Sequence, residues 1–243
     1  ITGDGYIKRV PPDTFRLQRR GGKGVTGVTT KEEDRVEHLF STTTHADLLF
    51  FTTRGRAFLL KAYDVPQGSR TAKGQAIVNF LQLAPGERVS SILPLDKFLS
   101  KKKTDVELVK YLLMVTSQGT IKKTSLEDFK NVRSNGLIAI KLHEGDDLKW
   151  VKPTSGEDEI SLVTGNGQSI RFSEEDVRPM GRQAAGVRGI KLKKNDVVVG
   201  MDVIPAAEAK SKKITLELFT VAENGLGKRT SLAEYKVQNR GGS

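Results

Sequence analysis

The chain has 243 residues and no cysteine, with 40 lysines and arginines against 29 acidic residues, a net charge of +11. Without cysteine there is no disulfide framework and no thiolate metal site, and no apolar run approaches the roughly 18 residues of a membrane-spanning helix. The basic excess points to a polyanionic partner, with nucleic acid ahead of an acidic protein.

The first predicted element is a hairpin at TGDGYIKR (2–9), where Asp4-Gly5 suits the two positive-φ positions of a type I′ turn. The pattern returns as TTRGRAFLLK (52–61), TSQGTIKKT (116–124), TGNGQSIRF (164–172) and AENGLGKRT (222–230). Each copy runs Thr or Ala, two residues, a glycine, then an alternating basic segment, and the last four copies follow apolar runs. The turn glycines Gly5, Gly55, Gly119, Gly167 and Gly225 are 50, 64, 48 and 58 residues apart. A second glycine follows the first four of them, at Gly24, Gly74, Gly136 and Gly186. Short strand-like segments come next, VTGV, QAIVNF, LIAIKL and VRGIKL, then an acidic turn at Asp34, Glu87, Asp146 and Asp196. A last apolar strand closes three copies before Pro94, Pro153 and Pro205.

Four short strands in roughly 50 residues, repeated, predict an all-β, propeller-like fold. The blades are expected at 1–46, 47–108, 109–157 and 158–212, with a partial fifth at 213–243 whose second glycine falls due beyond Ser243. No copy sustains the 3.6-residue period of a helical solenoid.

Cations recur in register. Arg20, Arg70, Arg133, Arg182 and Arg240 stand just before the second glycine or its expected place. Lys8-Arg9, Lys122-Lys123, Arg171 and Lys228-Arg229 recur after the first glycine, Arg56 and Lys73 flank the glycines of the second copy, and Arg188 and Lys191 lie in VRGIKL. Solubility requires no register, so these residues are read as a rim of phosphate contacts for duplex DNA, which fix register without reading sequence. The stretch 177–195 carries six cations (Arg178, Arg182, Arg188, Lys191, Lys193 and Lys194) and no acid. No aromatic residue interrupts the basic loops, which disfavours base stacking.

The segment Gln18-Arg19-Arg20-Gly21-Gly22-Lys23-Gly24 resembles the seven-residue box of the DNA gyrase A C-terminal domain, in the type IIA topoisomerases. FTTRGRAF, RTAKGQAIVNFL, SGEDEISLVT, GVRGIKL and GKRTSLAEY are similar to other blades of that family, in the family's order. The resemblance implies a β-pinwheel with strands exchanged between neighbouring four-stranded blades, four complete here and part of a fifth. It implies a non-catalytic domain, monomeric in isolation, that wraps double-stranded DNA around its outer rim. Its partners would be the remainder of the gyrase A protein together with gyrase B, in a bacterial cytoplasm or an organelle. The wrap would support ATP-dependent negative supercoiling. The equivalent domain of topoisomerase IV and a propeller-type protein-interaction module are the alternatives, the first weakened by the intact box.

Other chemistry finds little support. GKGVTG (22–27) satisfies G-x-G-x-x-G, but the β-branched VTGVTT after it starts no helix for a dinucleotide phosphate. His38, His45 and His143 lack metal-ligand spacing, no tyrosine sits in an Arg-Tyr pair, and no paired carboxylates appear. The expectation is no metal, no cofactor and no catalytic residue in this chain.

Overall fold

The computed structural model describes residues 1–15, 22, 24, 26–29, 34–95, 109–132, 135–211 and 216–242. In the first four copies the Thr of Thr-x-x-Gly is buried. Its hydroxyl accepts the amide four residues on: Tyr6 N to Thr2 Oγ1 at 3.2 Å, Arg56 N to Thr52 at 3.2 Å, Thr120 N to Thr116 at 3.1 Å and Gln168 N to Thr164 at 3.2 Å. The glycine between them has positive φ, from 72° at Gly55 to 81° at Gly5, where a side chain is strained. The acidic residue that recurs later in each repeat folds back onto this turn. Asp34 Oδ1 accepts Asp4 N at 2.9 Å, Asp146 Oδ1 accepts Gln118 N at 2.9 Å and Asp196 Oδ1 accepts Asn166 N at 3.0 Å. Glu87 takes the same post through the Thr52 hydroxyl (2.5 Å) and a two-pronged pair with Arg56.

These buried caps make stability pH-dependent. Burial acts to raise the carboxyls of Asp34, Asp196 and Glu87, but the hydroxyl, amide and, for Glu87, guanidinium donors outweigh it. All three are held below their ordinary values of 3.8, 3.8 and 4.5. A carboxyl with a lowered folded pKa stabilises fully above its unfolded value and loses that contribution as pH falls through the folded one. Thermal melts should therefore be flat down to about pH 5 and decline below about pH 4. A melting temperature unchanged at about pH 3 would remove the caps from the stability account.

The chain divides into two compact units, residues 1–104 with 132–137 and residues 105–131 with 138–243. In the first, β1 (Tyr6–Ile7) follows the first turn, and β2 (Asp47–Thr52) pairs with β3 (Arg56–Lys61) as the second hairpin. A short β4 (Gln75–Ala76) pairs with β1, while β5 (Val89–Pro94) lies on the other side of β2. Leu137 of β8 (Leu137–Ile138) completes the sheet against β3. Strand β2 is apolar from Leu48 to Phe51 and buried on both faces, as a continuous apolar run bounded by turns implies. Phe50, Phe58, Val65, Ile77 and Leu81 share its core with Ile7.

The second unit repeats the plan. β6 (Tyr111–Thr116) pairs with β7 (Thr120–Ser125) and with β9 (Leu148–Thr154), and β12 (Val187–Arg188) is added to β7. β10 (Glu159–Thr164) lies between β11 (Ser169–Ser173) and β13 (Val198–Ile204). The hairpin of β14 (Glu217–Val221) and β15 (Gly227–Ser231) ends the strand order. Leu113, Val115, Ile121, Leu162, Phe172 and Ile190 lie in its core, with Trp150 against them.

The strand after the second glycine does not stay in its own repeat. β4 pairs with the preceding repeat's β1, and β12 with the preceding repeat's β7. The backbone approaches closely where this happens: a Cβ on Gly74 would lie 2.5 Å from the Ile7 carbonyl oxygen, and one on Gly186 2.6 Å from that of Ile121. The sequence pattern finds the strands; their exchange makes each four-stranded sheet a joint product of two repeats.

Candidate nucleic-acid interface

The cations placed in register by the sequence fall into two groups, and the first group faces inward. Counting from the turn glycine, the third residue on is Lys8 in the first copy and Lys122 in the third. Lys122 is fully buried, and its ammonium donates to Ala139 O at 2.7 Å and to Arg182 O. Burial pushes its pKa down from 10.5 to about 8; Asp128 opposes that shift and Arg182 adds to it. Lys8 donates to the carbonyls of Gly27, Ser69, Arg70 and Ala72 at 3.1, 3.2, 2.6 and 2.7 Å.

The fourth residue on reaches the 3₁₀ turn of the following repeat. Arg9 Nε donates to Val65 O at 2.8 Å, Lys123 Nζ to Glu174 O at 3.0 Å and Arg171 Nη1 to Leu232 O at 2.9 Å. Lys123 and Arg171 are 3% and 4% exposed, paired with Glu174 and Glu159. An ion taken out of water needs such compensation, or burial would be prohibitive. Lys122, Lys123 and Arg171, expected as rim contacts, are thus corrected to internal fastenings between repeats. They recur in register because each repeat meets the next in the same way.

Two of the arginines before the second glycine, Arg70 and Arg240, also turn to protein. The Arg70 guanidinium donates to Thr26 O, and that of Arg240 to Arg188 O (2.5 Å) and Asp176 O (3.1 Å). Arg56 is drawn to Glu87, and Lys73 sits over the Tyr6 ring at 3.8 Å. Lys228 and Arg229 are exposed, Arg229 at 3.2 Å from Glu217. They occupy the same register positions as the inward group.

The second group faces water. Arg188, Lys191, Lys193 and Lys194 are exposed and Arg182 is half-buried. Arg188 and Lys191 line a groove of about 450 Å³ with Gln118, Thr120 and His143, all in the second unit. Lys141, absent from the sequence reading, stands five residues after Gly136 as Lys191 does after Gly186, and both are exposed. Their amides make matching bonds to the following loop, Lys141 N to Ala184 O and Lys191 N to Gly242 O. Spacing from the second glycine, rather than density of charge, was the signal that could have found it. Gln18, Arg19, Arg20, Gly21 and Lys23 of the box, and Arg133, lie outside the described residues, whereas Gly22 and Gly24 are exposed.

The family model described as DNA gyrase C-terminal domain, beta-propeller, matches residues 1–43, 46–96, 110–155, 158–205 and 216–243. The chain belongs to the DNA gyrase C-terminal domain family. The A protein of DNA gyrase from Staphylococcus epidermidis is 42% identical over 242 residues, covering 100% of the chain and 26% of that relative. The chain thus spans about a quarter of the curated relatives it matches. The C-terminal domain of DNA topoisomerase IV aligns with a TM-score of 0.76 at 28% identity, over 100% of the chain and 69% of that structure. The DNA gyrase A C-terminal domain aligns at 0.73 and 28%, over 100% and 73%.

Family membership and the exchanged sheets together fix the fold class as an all-β, propeller-like β-pinwheel. Within this gyrase-type domain the turn Thr, the second glycine and the acidic cap are structural, and so are the buried cations Lys122, Lys123 and Arg171. Among the exposed described cations, Arg188, Lys191, Lys193 and Lys194 lie together in one acid-free stretch, with Lys141 at the matching position of the preceding repeat.

Proposed function

We propose that the chain is a non-catalytic domain that binds duplex DNA and wraps it, as part of a bacterial gyrase-type topoisomerase. The outward cations and the box at Gln18–Gly24 contact phosphate. The bent duplex is presented in one sense to the remainder of the gyrase A protein, which together with gyrase B introduces negative supercoils at the expense of ATP. The observation that supports this reading is the acid-free stretch 177–195, whose Arg188, Lys191, Lys193 and Lys194 are exposed, in a chain of this family. Smoothly bending 20–30 base pairs costs about 1–6 kcal/mol, so a wrap needs phosphate contacts along its path.

The test is a salt titration of duplex binding. Each phosphate neutralised contributes about −0.9 to the slope of log K against log[salt], so several contacts give a steep line. Arg188→Gln with Lys191→Gln should flatten that slope by about two. A flat response of the unaltered chain sinks the DNA reading and favours an acidic protein partner.

A further inference from the structure

We infer that Lys8 is a positioning residue for the box segment and not a phosphate contact: its ammonium staples the segment's exit to the turn at residues 69–72. The functional half of this inference rests on the DNA-wrapping reading; the structural half does not.

An ammonium has three N–H donors, and Lys8 Nζ lies within 3.2 Å of four carbonyl oxygens, those of Gly27, Ser69, Arg70 and Ala72. Its donors are fully subscribed before any phosphate arrives. Gly27 stands three residues after Gly24, the last residue of the box. The same exit is gripped twice more, by the Arg70 guanidinium on Thr26 O and by Thr29 N on Thr71 O at 3.0 Å. Residues 26–29 are therefore tied at three points to a turn of the second repeat, and Lys8 holds both sides. Burial lowers its pKa, and the neighbouring Arg70 adds to that shift.

A cation is not needed at this position merely to close the joint. The second and fourth copies carry Phe58 and Ile170 there, and each reaches the following repeat's glycine loop, at Gly136 and Gly242. Lys122 repeats the lysine solution in the third copy, where it holds the Arg182 carbonyl and so the turn that precedes Arg188. Each lysine thus fastens a backbone carbonyl next to or within a basic stretch, Gly27 just after the box and Arg182 within 177–195.

Amide exchange, DNA binding and wrapping are measured on the full chain carrying Lys8→Met, Lys8→Gln or Lys8→Arg. Lys8→Met is expected to speed exchange about tenfold in residues 26–29 and 69–72 while leaving the β2–β3 hairpin protected. It should leave the salt slope unchanged and abolish the chiral bias of wrapping, and Lys8→Arg should restore protection in part. A salt slope reduced by about one, with exchange unchanged, would overturn the inference, because that is the signature of a lost phosphate contact. If Lys8→Met does not fold, Lys8→Gln is read by the same criteria. Should the unaltered chain show no salt slope, the DNA reading fails, and the exchange pattern alone decides the staple.

Discussion

Gly186→Ala is expected to destabilise the second unit by about 3 kcal/mol or more, whereas Gly167→Ala in the same unit costs about 1–2 kcal/mol. Both glycines have positive φ, 94° and 79°, so both substitutions incur the left-handed backbone penalty. The difference lies in what the new methyl group meets. At Gly167 nothing stands within 4 Å, since the turn projects into solvent. At Gly186 the Cβ would sit 2.6 Å from the Ile121 carbonyl oxygen, where only backbone movement relieves the clash. That movement opens the exchange strand β12, which pairs with β7 through Val187 and Ile121. Trp150, the single tryptophan, packs against the second unit's core, so urea denaturation followed by its fluorescence reports the right unit. Equal costs for the two variants would mean that the close approach at Gly186 is readily relaxed and that strand exchange does not depend on it.

The repeat, its turn glycines and its all-β character were legible in the sequence because backbone geometry enforces them. Only glycine accepts the close, positive-φ position at Gly186, and a buried Thr hydroxyl at Thr116 or Thr164 is what caps the turn amide. The acidic turns were visible at Asp34, Asp146 and Asp196, though their partner, an amide about thirty residues earlier, was not. The cations were harder to read. Lys122 and Lys191 look alike in a sequence, yet one is buried among carbonyls and the other is exposed. A backbone carbonyl is present in every residue, so the partner of an inward lysine leaves no mark in the residue pattern. Recurrence in register therefore had two physical origins, a shared ligand or a shared joint, and the geometry assigns Lys122, Lys123 and Arg171 to the joint. Lys141 escaped notice for the opposite reason: it stands alone, flanked by Ile140 and Leu142 rather than by other charges.

Neutralising Arg19, Arg20 and Lys23 together is expected to abolish the chiral bias of wrapping while most of the plain affinity for duplex DNA survives. The box concentrates three cations and the pair Gly21-Gly22 in seven residues, and a side-chain-free backbone lets a phosphate come close. Three lost phosphate contacts flatten the salt slope by about 2.7 at most. Arg188, Lys191, Lys193 and Lys194 are exposed in the second unit and would be expected to keep the duplex attached. Affinity sums over contacts wherever they lie, whereas the sense of a wrap would depend on which contacts pin its path. Removing the box would release such a pin, so the bound duplex would be expected to lose its preference for one direction of bend. Circle relaxation with a topoisomerase, run beside a binding assay on the same variant, separates the two quantities. Loss of binding in proportion to loss of topology change would reduce the box to three more phosphate contacts. Retained binding with no net topology change would make it the element that sets direction.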